Sequence, residues 1–172
     1  ITEKPSKRKK IITLSKPEKK IHELWPYLQK QIDNENQIFW VCPLIESSKF
    51  LDYSSAKEKF EIINKIFPNK VGLIHGALNK DEKEKIIKKF LNKDILILVS
   101  TTVIEVGIDF PNANTIIIEN ANKFGLSQLH QLRGRVGRGN KQGTCILLFK
   151  EGLSDNAVKR IKILKSSDDG FF

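Results

Sequence analysis

Arginine is scarce in this 172-residue chain: of 30 basic residues only five are arginine, and three of those, Arg133, Arg135 and Arg138, fall within six positions. They sit in the run KFGLSQLHQLRGRVGRG, which ends at Gly139. A guanidinium is planar, permanently charged and able to grip a phosphate with two parallel hydrogen bonds, which a flexible ammonium cannot do. Where lysine is the default cation, arginines interleaved with Gly134, Gly137 and Gly139 therefore read as a phosphate-facing platform, the glycines ending regular helix and letting a ligand approach. Written on a helix, Leu126, Leu129, Leu132 and Val136 make one apolar stripe, while Gln131, Arg135 and Arg138 fall on a different, cationic face. Two further polar groups follow strand-like runs. Thr101 and Thr102 come directly after ILILVS, where hydroxyls and amides can hold a sugar–phosphate backbone without reading bases. His75-Gly76 stands between a strand end and a helix N-terminus, a usual place for phosphate. For His75 an ordinary packing role on its loop stays open.

These groups need elements that carry strand ends to a common edge, and the hydrophobic patterning supplies them. Ile11 to Leu14 reads as a short edge strand. From Ser15 a helix is expected through Ile21, Leu24, Trp25, Leu28 and Ile32, with Pro17 near its start and Pro26 kinking or dividing it. Gln37 to Cys42 is a strand ended by Pro43, and Leu44 to Ser54 a loop. Ser55 with Glu58 then offers a capping box for a helix carrying Ala56, Phe60, Ile63 and Phe67. Val71 to His75 is the next strand, and Asn79 with Glu82 caps a helix with Ile86, Ile87, Phe90 and Leu91 inward. Ile95 to Ser100, Asn114 to Glu119 and Thr144 to Phe149 are further strands, and a basic amphipathic helix starts at Ser154. This alternation predicts an α/β domain: a mostly parallel sheet with helices on both faces and its functional loops at the strands' carboxyl ends.

A net charge of +10 and a pI near 9.6 point to a polyanionic partner, with nucleic acid leading and solvated lysine faces as the competing reading. A hydrophobic content of 40% excludes a wholly disordered basic tail. Cys42 and Cys145 lie in apolar runs and read as small buried hydrophobes in a reducing, cytoplasmic setting. No stretch approaches the roughly 18 apolar residues of a membrane span, and the N-terminus lacks a signal-peptide core. A start at Ile1 and an end at Phe172 suggest a piece of something longer. Residues 1–14 read as a basic linker and incoming strand, 15–153 as the domain, and 154–172 as the truncated start of a helical element.

QLRGRVGR fits the Q-x-x-G-R-x-x-R pattern, and TTVIEVGID at Thr101 to Asp109 resembles its companion motif, of the second motor domain of superfamily 2 helicases and translocases. The fold implied is RecA-like. ANTIIIENANKFGLSQLHQ, WVCPLIESS at Trp40 to Ser48 and SSDDGF near the end resemble the RecG family of bacterial ATP-dependent DNA helicases. The Mfd family of transcription-repair translocases is the runner-up; it tends to carry a different segment at 40–48 and a threonine where Val106 stands. The resemblance spans essentially the whole chain. It implies that Thr101, Thr102, His75 and Gly76 touch the DNA backbone, that Gly107 lets a nucleotide approach and that Asp109 accepts from a ribose hydroxyl. It further implies that Arg138 reaches the γ-phosphate with Arg135 beside it and Gln131 ordering both, while Glu105 orders its loop by pairing with an arginine. Taken alone, Gly107 and Asp109 are a turn glycine and a capping aspartate, and Arg138 braces a helix end.

The sequence contains no G-x-x-x-x-G-K-[ST] loop, and its one D-E-x-x match, Asp81-Glu82, falls at the start of the helix that Asn79 caps rather than at a strand end, so nothing in it reads as cradling β and γ phosphates or holding their metal. ATP and Mg²⁺ are then expected mainly on a preceding RecA-like motor domain, with none in this fragment, and the arginines complete that site as fingers. The function implied is the second motor domain of a helicase that remodels stalled forks and branched recombination intermediates in DNA repair, contacting forked or branched DNA at its backbone. A basic α/β nucleic-acid-binding module without ATP chemistry is the alternative from another class.

Overall fold

Long apolar runs rich in Ile, Leu and Val form six strands: β1 (Ile12–Pro17), β2 (Gln37–Val41), β3 (Val71–Ile74), β4 (Ile97–Ser100), β5 (Ala113–Ile118) and β6 (Thr144–Phe149). The computed structural model describes residues 11–42, 49–101, 113–121, 124–136, 142–150, 156, 158–159 and 162–163. The strands make one sheet in the order β1-β6-β5-β2-β4-β3, every neighbouring pair parallel. Every residue of β2, β4 and β5 is buried, as continuous hydrophobic runs covered on both faces require.

Helices α1 (Trp25–Asp33) and α2 (Lys49–Ile66) cover one face, and α3 (Lys80–Leu91) and α4 (Leu126–Arg133) the other. Along β2 the pleat sends Ile38, Trp40 and Cys42 toward α1 and α2, and Phe39 and Val41 toward α3 and α4. Connections moving from β1 through β2 to β3 cross the first face. Those returning from β3 to β4 and from β5 to β6 cross the second, as right-handed crossovers demand.

Four sequence expectations change. The helix expected from Ser15 starts later: β1 stays paired with β6 as far as Pro17 opposite Phe149. A 3-10 run over Glu18–Leu24, off helical values at Lys20, then precedes α1. Pro26 lies in the first turn of α1, where its missing N–H breaks no bond, so it marks the boundary between two shorter helices. The division at Leu14/Ser15 falls inside β1, which makes the incoming strand an integral part of the sheet. Helix α2 begins at Lys49, ahead of the expected Ser55–Glu58 cap, because neither glycine nor proline stands between Lys49 and Ser55 to stop it. Leu91, expected inward, is 42% exposed; the buried face of α3 ends at Phe90.

The cap of α3 is as read: Asn79 N–H donates to Glu82 Oε1 at 3.0 Å and Glu82 N–H to Asn79 Oδ1 at 2.8 Å. Cys42 and Cys145 are buried free thiols. The helix expected from Ser154 lies largely outside the described residues; 156, 158, 159, 162 and 163 are helical. No helix among the described residues is long and apolar enough to cross a membrane. Nor do the described residues group three or more potential metal ligands.

Candidate functional site

The carboxyl edge of the sheet is laced beyond the strands themselves. Glu119 N–H donates to Val41 O at 2.9 Å, Cys42 N–H to Ser100 O at 2.8 Å and Thr101 N–H to Ile74 O at 3.1 Å. This brings Thr101 and His75 to neighbouring strand ends. Thr101 is buried, and its hydroxyl has no hydrogen-bond partner among the described residues. His75 is half-buried, its Nδ1 accepting from Ala77 N–H at 3.2 Å, so its proton sits on Nε2. Burial lowers its pKa, with Glu82 opposing and Lys83 adding to the shift. Gly76 is exposed, with open space where a Cβ would stand. The capping box already engages Asn79 N–H and Glu82 N–H, and Asp81 and Glu82 place negative charge in the first turn of α3. The α3 dipole is thereby answered internally, and the open position is Gly76, ahead of the cap. Thr102, Glu105, Gly107 and Asp109 lie outside the described residues.

The arginine run is split by the structure. Leu129, Leu132 and Val136 are buried and Leu126 packs against the same core, as the stripe predicts. Helix α4 ends at Arg133, however, so Gln131 and Arg135 do not share one helical face. Gln131 is exposed in the last turn, Arg135 half-buried in the turn beyond it, and Arg138 lies outside the described residues. Arg133, counted from sequence in the phosphate-facing platform, is 0% exposed and donates from Nη1 to Thr13 Oγ1 at 3.0 Å. Its place four residues after Leu129, on the apolar side of the helix, is the sequence signal that could have revealed this. Thr13 is the second residue of β1, and Ile12 N–H donates to Gly143 O at 2.9 Å where β6 begins. The arginine-bearing end of α4 therefore lies at the amino edge of the sheet, opposite Thr101 and His75. The motif begins beyond the carboxyl end of β5, as the strand pattern implied, but Arg133 and Arg135 are carried to the other edge because α4 must run back down the sheet to reach β6.

A polar group that the sequence reading passed over sits between β2 and β5, whose onward connections leave to opposite faces. Glu119, 9% exposed, accepts from Trp40 Nε1 and from Cys42 Sγ at 3.5 Å, with Lys59 Nζ of α2 at 3.9 Å. Burial raises its pKa, and Lys59 and Trp40 pull the other way. Burial also pushes the Cys42 thiol well up, helped by the Glu119 charge. The period-2 step Thr115, Ile117, Glu119 was the available signal.

Residues 16–140 match the family model of the helicase conserved C-terminal domain. The chain is 43% identical over 173 residues to the ATP-dependent DNA helicase RecG of Thermotoga maritima, covering 99% of this chain and 22% of that protein. A structure of RecG bound to a three-way DNA junction superposes with a TM-score of 0.82 at 40% identity, over 99% of this chain and 22% of that one. The yeast DEAD-box splicing factor Prp28 shares the fold, with a TM-score of 0.74 at 18% identity over 94% of this chain and 33% of that one. The chain thus spans about a quarter of the length of its RecG relatives.

Proposed function

The chain belongs to the helicase conserved C-terminal domain family, and from that membership we propose that it is the second motor domain of a RecG-type ATP-dependent DNA helicase acting on forked or branched DNA. The observation that carries the reading is the division of labour across one sheet: Thr101 beside His75 at the carboxyl edge, and the turn bearing Arg135 at the amino edge. The first can hold a sugar–phosphate backbone, and the second carries an arginine suited to a phosphate. In this reading Thr101, Thr102, His75 and Gly76 hold the DNA backbone. ATP and Mg²⁺ bind mainly to a preceding RecA-like domain, and Gly107 and Asp109 approach the nucleotide from this side. Arg138 reaches the γ-phosphate with Arg135 beside it and Gln131 ordering both. The motor domain runs from β1 to residue 153, and residues 154–172 begin a further helical element. The protein works in the cytoplasm. Alternating closure and release across the cleft converts hydrolysis into movement on DNA.

Arg138→Ala in the intact protein tests this. It is expected to lower kcat by roughly 10³-fold or more while ATP affinity falls much less. Arg138→Lys should restore little, because a point charge on a flexible stem does not reproduce bidentate geometry. Normal DNA-stimulated turnover with a lowered Tm would reassign Arg138 to bracing the chain.

A further inference from the structure

Arg133 stands apart from the other members of the arginine run. Its side chain is wholly buried, and its hydrogen bond to Thr13 joins residues 120 positions apart. Thr13 lies opposite Cys145 in the β1–β6 register. The hydrogen bond holds the guanidinium against β1, where its charge opposes the upward push that burial gives the Cys145 thiol and adds to the lowering of the His130 pKa. Burying a guanidinium is expensive even when it is hydrogen-bonded, and an apolar side chain of similar volume is often as stable or more stable in such a place. Arg133 therefore fixes a geometry rather than adding stability. What it fixes begins one residue later. Gly134 N–H donates to His130 O at 3.0 Å, Arg135 N–H donates to Leu132 O at 3.0 Å, and Val136 drops into the core.

We propose that Arg133 and Thr13 are a positioning pair that locks the carboxyl end of α4, and with it the phosphate-facing arginines, to β1, the strand on which the chain arrives from the preceding motor domain. The proposal rests on the motor-domain reading above. Neither side chain is catalytic; both act through the turn from which Arg135 departs. Because β1 is an edge strand, a displacement of the incoming chain is handed to that turn through the Arg133–Thr13 hydrogen bond, coupling domain movement to arginine placement.

The test uses the intact protein with three substitutions. Thr13→Val removes the hydroxyl and keeps the shape, Thr13→Ser keeps the hydroxyl, and Arg133→Met fills the space without charge. Thr13→Val should lower DNA-stimulated kcat about tenfold, the scale of a small misplacement of a reacting group, with KM for ATP changed by no more than about threefold. Its Tm should stay near wild type, and amide hydrogen exchange at Gly134 to Val136 should accelerate. Thr13→Ser should restore both. Arg133→Met should lose kcat in the same way with an unchanged or raised Tm; if it does not fold, Thr13→Val alone decides. Wild-type exchange at residues 134–136 in Thr13→Val overturns the proposal, whatever happens to turnover. Faster exchange with wild-type kcat overturns it too, since the tie would then not serve the arginines. Arg138→Ala run in parallel separates the two claims. Full turnover in that variant sinks the arginine-finger reading, and exchange then decides the Arg133–Thr13 tie by itself.

Discussion

Glu119 leans on Lys59 across 3.9 Å, a loose pairing for a carboxylate so nearly enclosed, and burial dominates its titration. Its folded pKa lies above the ordinary carboxylate range, so the folded state holds the proton more tightly than the unfolded chain does. The resulting stability is complete below the unfolded value and is lost as pH rises through the folded one. Glu119→Gln keeps an acceptor for Trp40 and removes the charge. It is expected to match wild type in acid and to melt a few degrees higher at neutral pH, on the roughly 1 kcal/mol scale of a single-site change. Thermal melts at the two pH values check this; a lower Tm at neutral pH would mean that Lys59 outweighs burial. His75 shifts the other way, toward the neutral imidazole. A neutral donor releases no counterions, so His75→Ala in the intact protein should weaken DNA binding by about 1 kcal/mol or less without changing its salt slope. Titrations across a range of salt would expose a charged contact as a shallower slope.

At the scale of elements, α4 decides how the arginine run is displayed, and the way it ends is not the one its glycines suggested. Gly134 has φ −69° and ψ −7°, right-handed values that any residue adopts. Among the described residues a Cβ there would meet only His130 O at 3.5 Å and Gln131 O at 3.6 Å, ordinary contacts. Gly134→Ala should therefore stabilise the domain by about 0.4–1 kcal/mol, chiefly by restricting the unfolded chain. Urea unfolding gives the answer, and a destabilisation of that size would mean that the turn needs glycine after all. The helix stops because Val136 turns into the core and Arg133 is held at Thr13, both tertiary contacts.

For the whole molecule, the expected behaviour follows from what the chain carries and what it lacks. With no phosphate loop in its sequence, and with its one D-E-x-x match, Asp81-Glu82, in the first turn of α3 where Glu82 closes the capping box, the isolated chain should hydrolyse no ATP above a no-protein control. Hydrolysis that persists at constant specific activity through further purification would contradict this. Its net charge of +10 should still give weak DNA binding that falls steeply with salt, since lysine–phosphate contacts act through counterion release. A tight, salt-insensitive complex would argue for base-specific contacts instead.

Much of this architecture was legible in the sequence because its causes are local. Apolar runs of four to six residues specify buried strands, the Asn79–Glu82 box starts α3, and the 126–129–132–136 stripe seats α4. The arginine and threonine motifs were equally visible, being residue types at short spacings. Which strands lie side by side was not: a strand's pattern says that it is buried on both faces and nothing of its neighbour, so the order β1-β6-β5-β2-β4-β3 belongs to the packed chain. The same limit hid the fates of two charged residues. Glu119 meets Trp40 and Cys42 across 79 and 77 positions, and Arg133 meets Thr13 across 120. Short-range periodicity offered an exposed arginine and the last residue of a strand; only folding brought those distant partners close enough to bury both charges.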